Sequence, residues 1–158
     1  MKPPRTMVDR LLDAADTLLE RRPGSAAYRR RAVSTAYYAV FHALAGLSAD
    51  CFLSADNRRS DAYARVYRAL SHGQMKGAFR QPPLQGHPIL GTIGNIVVEL
   101  QSGRETADYS PPNDRLFPLA NARELVGKAR QAVAGLNSLS TDDRRVVASC
   151  LLFRIRVP

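Results

Sequence analysis

The chain has 158 residues, with 23 lysines and arginines against 14 acidic side chains and a formal charge of +9. That length fits one domain, 1–158, burying about 70% of the surface its unfolded chain would expose, and the charge favours phosphate-bearing or otherwise anionic partners over basic ones. Cys51 and Cys150 are too few for a disulfide scaffold, and no secretory leader or apolar run near the roughly 20 residues that cross a bilayer is read, so a cytoplasmic setting without membrane contact is expected.

Helical periodicity dominates without an internal repeat, and it predicts an all-α fold. A first helix is expected from about Thr6 to Arg22, with Val8, Leu11, Leu12, Ala15, Leu18 and Leu19 inward, ended by Pro23-Gly24. The run from Arg29 to Leu47 comes next. It carries Val33, Ala36, Tyr37, Val40, Phe41, Leu44 and Leu47 as a core stripe, and the opposite side gathers Arg31, Ser34, Thr35, Tyr38 and His42 as a polar seam. Beyond the turn-forming stretch from Ser54, a third helix is predicted to start with Ser60 as cap and to bury Tyr63, Val66, Tyr67 and Leu70; Gly73 bends or ends it. A loop with Pro82-Pro83 leads to a fourth helix over about Pro88 to Ala107, burying Ile89, Ile93, Ile96, Val97 and Leu100. Gly91 and Gly94 within it point to close helix packing and form no phosphate loop. A fifth helix is expected over about Pro118 to Leu136 and a short last one over Asp142 to Phe153. The alternation from Phe153 to Val157 also fits a strand.

Three groups of residues could carry chemistry. Tyr38 and His42 stand one turn apart on the polar seam, where they could grip a phosphate or, through His42, move a proton; they could equally be a buried pair bonded to backbone or to each other. Arg65, Arg68, His72 and Lys76 fall in one sector of the third helix if it continues through Gly73. Such a strip suits a nucleic-acid backbone, and it also fits a solvated surface face. Arg104, Glu105, Asp108 and Tyr109 close the fourth helix. Arg104 lies within that helix's core angle, so its charge must be paired, and Asp108 is the nearest candidate to bridge it; the alternative is a ligand-binding or catalytic role. His42, His72 and His87 lack metal-ligand spacing, and no cofactor is indicated.

The strings RRAVSTAYYAVFHAL, VYRALSHGQMKGAF, ELQSGRETADYSP and DDRRVVASCLLFRIR carry a resemblance across most of the chain, from about Arg30 to Arg156. Together they resemble the HEPN family, the higher eukaryote and prokaryote nucleotide-binding domains. The resemblance implies an up-and-down bundle of four to five helices, dimeric as a homodimer, with a groove for a nucleotide or RNA. Many members resemble metal-independent ribonucleases of toxin, antitoxin and phage-defence systems, in which an Arg followed a few residues later by a His cuts RNA at the dimer interface. Others bind without cleaving. A nucleotidyltransferase-type antitoxin is the partner implied by the toxin–antitoxin setting.

This chain departs from the cleaving pattern, because Glu105, Thr106, Ala107, Asp108 and Tyr109 follow Arg104 without a histidine. Arg65 and His72 meet the spacing only on the third helix. Arg68 and His72 could instead join Arg104 and Tyr109 in space. The resulting expectation is a nucleotide or RNA phosphate site built on Arg104, His72, Arg68 and Tyr109, with Tyr38 and His42 near the groove. A metal-independent endoribonuclease using Arg104 and His72, or a non-catalytic dimeric interaction module, are the alternatives.

Overall fold

Polar side chains start most helices of the computed structural model, which describes residues 4–156. Thr6 and Asp9 form a reciprocal capping box at α1 (Met7–Arg21). Ser60, Ser71 and Ser140 each accept an amide N–H at the start of α3 (Asp61–Tyr67), α4 (His72–Phe79) and α7 (Thr141–Leu152). His87 Nδ1 accepts from Ile89 and Leu90 ahead of Pro88, the first residue of α5 (Pro88–Tyr109). The remaining helices are α2 (Ala26–Leu53) and α6 (Leu119–Asn137), and a 3₁₀ turn spans Ala55–Asn57. The described residues are therefore all-α, packed as a helical bundle.

The bundle is built around α2, which touches α1, α3, α5, α6 and α7. Of its polar seam, Ser34 is closed off by this packing. Ser34 and, further along the helix, Ser48 are fully buried beside Ala32, Ala39 and Ala49, because small residues let neighbouring helices approach there; Arg31 is exposed, and Thr35, Tyr38 and His42 keep part of their surface open. This helix also exceeds the apolar length expected from the sequence. At 28 residues it is the one helix among the described residues long and apolar enough to cross a membrane, and half of its most apolar window is buried within the bundle.

The predicted third helix breaks in two. It ends at Tyr67, Leu70 turns into the core, and the Ser71 hydroxyl accepts the Gln74 amide at 3.2 Å to begin α4. Arg65, Arg68, His72 and Lys76 thus do not share one helical face. Gly94 seats α4 on α5: a Cβ there would lie 2.8 Å from the Phe79 ring, so only glycine admits that ring without a shift. Phe153 leaves α7 with extended backbone (φ −121°, ψ 135°) and no strand forms among the described residues; Val157 lies outside them.

Candidate functional site

Two arginines at the start of α2 fix the end of α5. Arg30 donates to the carbonyls of Ala107 (2.7 Å), Ser110 (2.5 Å) and Pro111 (3.2 Å), satisfying acceptors that the helix terminus leaves free. Arg29 holds the carbonyls of Asp114 and Phe117, both at 2.7 Å, and thereby the linker to α6. These contacts hold the last turns of α5, which carry Arg104 and Tyr109, against α2.

Arg104 is 6% exposed, yet it makes no ion pair with any described residue, and its Nε has no hydrogen-bond partner among them. The expected bridge to Asp108 does not form. Tyrosine rings surround the charge: the guanidinium carbon lies 5.2 Å from the centroid of Tyr37 and 6.0 Å from those of Tyr38 and Tyr109. Ring faces stabilise a cation without pairing its N–H donors; the Tyr37 hydroxyl is close enough to accept from the guanidinium, but the Nε–H has no partner, and bidentate anions are the natural complement of such a group. Asp108, one turn beyond Arg104, points elsewhere and lines a separate groove of about 620 Å³ with Arg30 and Arg31.

His72, the first residue of α4, reaches the same place from the other side. Its Nδ1 is hydrogen-bonded to the Tyr37 hydroxyl, and its ring packs on Phe41 with centroids 4.5 Å apart and on Tyr38 at 6.1 Å. Burial, reinforced by the Arg104 charge and opposed by Glu105, pushes the imidazole below its ordinary pKa, so it is neutral at pH 7. Burial also pushes the Tyr37 hydroxyl up to about 12, with Arg104 opposing.

A second pair lies next along α2. His42 Nδ1 and the Tyr67 hydroxyl are 2.6 Å apart, their rings stacked, and burial alone lowers the His42 pKa. Beyond it the Tyr63 hydroxyl donates to Asp50 at 2.7 Å. Burial raises the Asp50 pKa, but Arg58 and this hydroxyl outweigh it and hold the carboxyl below its usual range.

Of the residues singled out from sequence, Arg104, His72, Tyr38 and Tyr109 come together, with His42 adjoining them. Arg65 and Arg68 do not. They line an open depression of about 590 Å³ with Asp61, on the outer side of α3. The residues missed are Tyr37 and Phe41, assigned to the core stripe by their helical angle. Tyr37 is indeed 1% exposed, but a buried phenol needs a partner for its hydroxyl, and that requirement was the available signal. Among the described residues no three His, Cys, Asp or Glu side chains gather in a way that could hold a metal ion. Compared with protein-family models, curated proteins and solved structures, the chain matches none of them.

Proposed function

We propose that this chain is a HEPN-like protein that binds a nucleotide or RNA phosphate at Arg104, with Tyr38, Tyr109 and His72 around the ligand. The observation that carries this reading is the buried Arg104 charge with no carboxylate partner. A guanidinium taken out of water is normally neutralised by a protein anion, and its burial here without one leaves the site to be completed by an anion from outside. Tyr109, 76% exposed beside that charge, offers a ring on which a base can stack. The net charge of +9 adds long-range attraction for such a ligand. Arg68, on the outer side of α3, is not needed for this site.

The resemblance supports the wider setting: a bundle formed by the long helices α1, α2, α5, α6 and α7, a homodimer in the cytoplasm, and a toxin–antitoxin or phage-defence context with a nucleotidyltransferase-type antitoxin as partner. A second reading, metal-independent endoribonuclease, is favoured by one observation. His72 and Arg104 both contact Tyr37, which brings together the two side-chain types that metal-free phosphodiester cleavage employs.

One experiment tests both. Fluorescently labelled RNA is titrated with the wild type, Arg104→Lys and Arg104→Gln in EDTA, and the same mixtures are run on a gel. Binding that weakens as salt rises and falls about tenfold or more in Arg104→Gln, with Arg104→Lys between, is expected. RNA bound equally well by Arg104→Gln would sink the assignment of the site. Fragments seen with the wild type and lost in the variants would move the conclusion to the nuclease.

A further inference from the structure

Tyr37 has one hydroxyl hydrogen and, in the cluster around it, one group placed to accept it. The residue is fully buried, so that hydrogen must be satisfied inside the protein. The Arg104 guanidinium beside it carries only donors. Tyr38 and Phe41 meet it through their rings. Its hydrogen-bond partner is His72 Nδ1, so the phenol donates and Nδ1 accepts. A neutral imidazole has one accepting nitrogen and one that carries hydrogen, which leaves the hydrogen of His72 on Nε2, directed away from Tyr37.

We infer that Tyr37 is a positioning residue: its hydroxyl holds His72 in one orientation and one tautomer, with Nε2–H offered as a donor to the phosphate that Arg104 attracts. The ligand half of this statement rests on the reading of the site given above; the tautomer does not. Burial acts in the same direction on both partners, keeping the phenol protonated and the imidazole neutral. In this form His72 has no free lone pair on the ligand side and does not serve as the base for a 2′-hydroxyl. It acts beside Arg104 as a second hydrogen-bond donor.

The tautomer is read without any ligand. Long-range ¹H–¹⁵N correlation spectra of the labelled full chain at about pH 8, where His72 is neutral, distinguish the protonated nitrogen of its ring, and His42→Gln and His87→Gln assign His72 by subtraction. The expected result is hydrogen on Nε2 in the wild type and a mixture of both tautomers in Tyr37→Phe, with the far-UV circular dichroism of the two proteins superimposable. Hydrogen on Nδ1 in the wild type, or an unchanged tautomer in Tyr37→Phe, would overturn the inference. Should Tyr37→Phe fail to fold, position 72 supplies the second arm. Gln places an amide N–H near the former Nε2 and Asn near the former Nδ1, so His72→Gln should keep RNA affinity within about threefold while His72→Asn loses about tenfold. Affinity in His72→Asn equal to or above that in His72→Gln would overturn it as well. RNA left unbound by the wild type would remove the phosphate reading alone, and the spectra would still decide the role of Tyr37.

Discussion

Two tyrosine–histidine pairs sit side by side along α2, joined through the rings of Tyr38 and Phe41. In each, a tyrosine hydroxyl meets Nδ1 of a half-buried imidazole whose pKa burial lowers. Tyr37–His72 has the Arg104 charge beside it, whereas Tyr67–His42 is shifted by burial alone. Tyr67 also has a second acceptor at 3.5 Å, the His42 carbonyl. The difference teaches that a buried Tyr–His hydrogen bond is not in itself a sign of function. Between α2 and α3 it satisfies two polar groups and fastens a short helix; the same bond beside a buried guanidinium without a carboxylate partner is the one we propose serves an anion site.

The largest effect that separates the pairs is on binding. His72→Ala should lower RNA affinity about tenfold, the loss of one hydrogen bond to a charged ligand, while His42→Ala stays within about twofold. A fluorescence anisotropy titration decides it, and equal losses would dissolve the distinction. A smaller effect is on titration. Both imidazoles have folded pKa values below the ordinary histidine value of about 6.5, so the unfolded chain takes up protons first as pH falls. Stability is therefore full above about pH 6.5 and is lost progressively as pH drops through each folded pKa. Removing the neighbouring positive charge in Arg104→Gln should raise the His72 midpoint and leave that of His42 in place. Imidazole Cε1–H resonances followed against pH give both midpoints, and a parallel shift of the two would mean that Arg104 does not act on His72 selectively.

How far the site was legible follows from which forces are local. The starts of α1 and α3 were readable because Thr6 and Ser60 cap within a few residues of themselves. Ser71 carries the same signal, but the apolar spacing of Tyr63, Val66, Tyr67 and Leu70 runs straight up to it and suggests one longer helix. The inward angle of Arg104 on α5 was readable from helical geometry alone. Its surroundings were not: the partner one turn away in sequence, Asp108, faces another groove, and the groups that meet the charge include Tyr37 and Tyr38 from a different helix. Tyr37 was hidden by its own burial, since an aromatic ring on a core stripe reads as packing and the acceptor for its hydroxyl stands 35 positions further along the chain. Side-chain angle is a property of one helix. Which hydroxyl finds which imidazole is a property of how three helices meet.

The smallest expected effect belongs to Tyr67. Its hydroxyl ties α3 to α2 through His42, and its ring lies 3.8 Å from where a Cβ on Gly46 would be, in ordinary contact. Tyr67→Phe keeps the ring and removes the hydroxyl, leaving His42 Nδ1 without its partner on a residue that retains some access to water. The loss should be that of a single neutral hydrogen bond, about 1 kcal/mol in urea unfolding, with RNA affinity unchanged. Tyr37→Phe should cost stability too and, unlike Tyr67→Phe, also weaken RNA binding, because in the proposed site its hydroxyl organises a donor beside the Arg104 charge. If Tyr67→Phe weakened RNA binding as much as Tyr37→Phe does, the second imidazole would belong to the binding surface, and the aromatic row from Tyr109 to Tyr67 would have to be treated as one extended site.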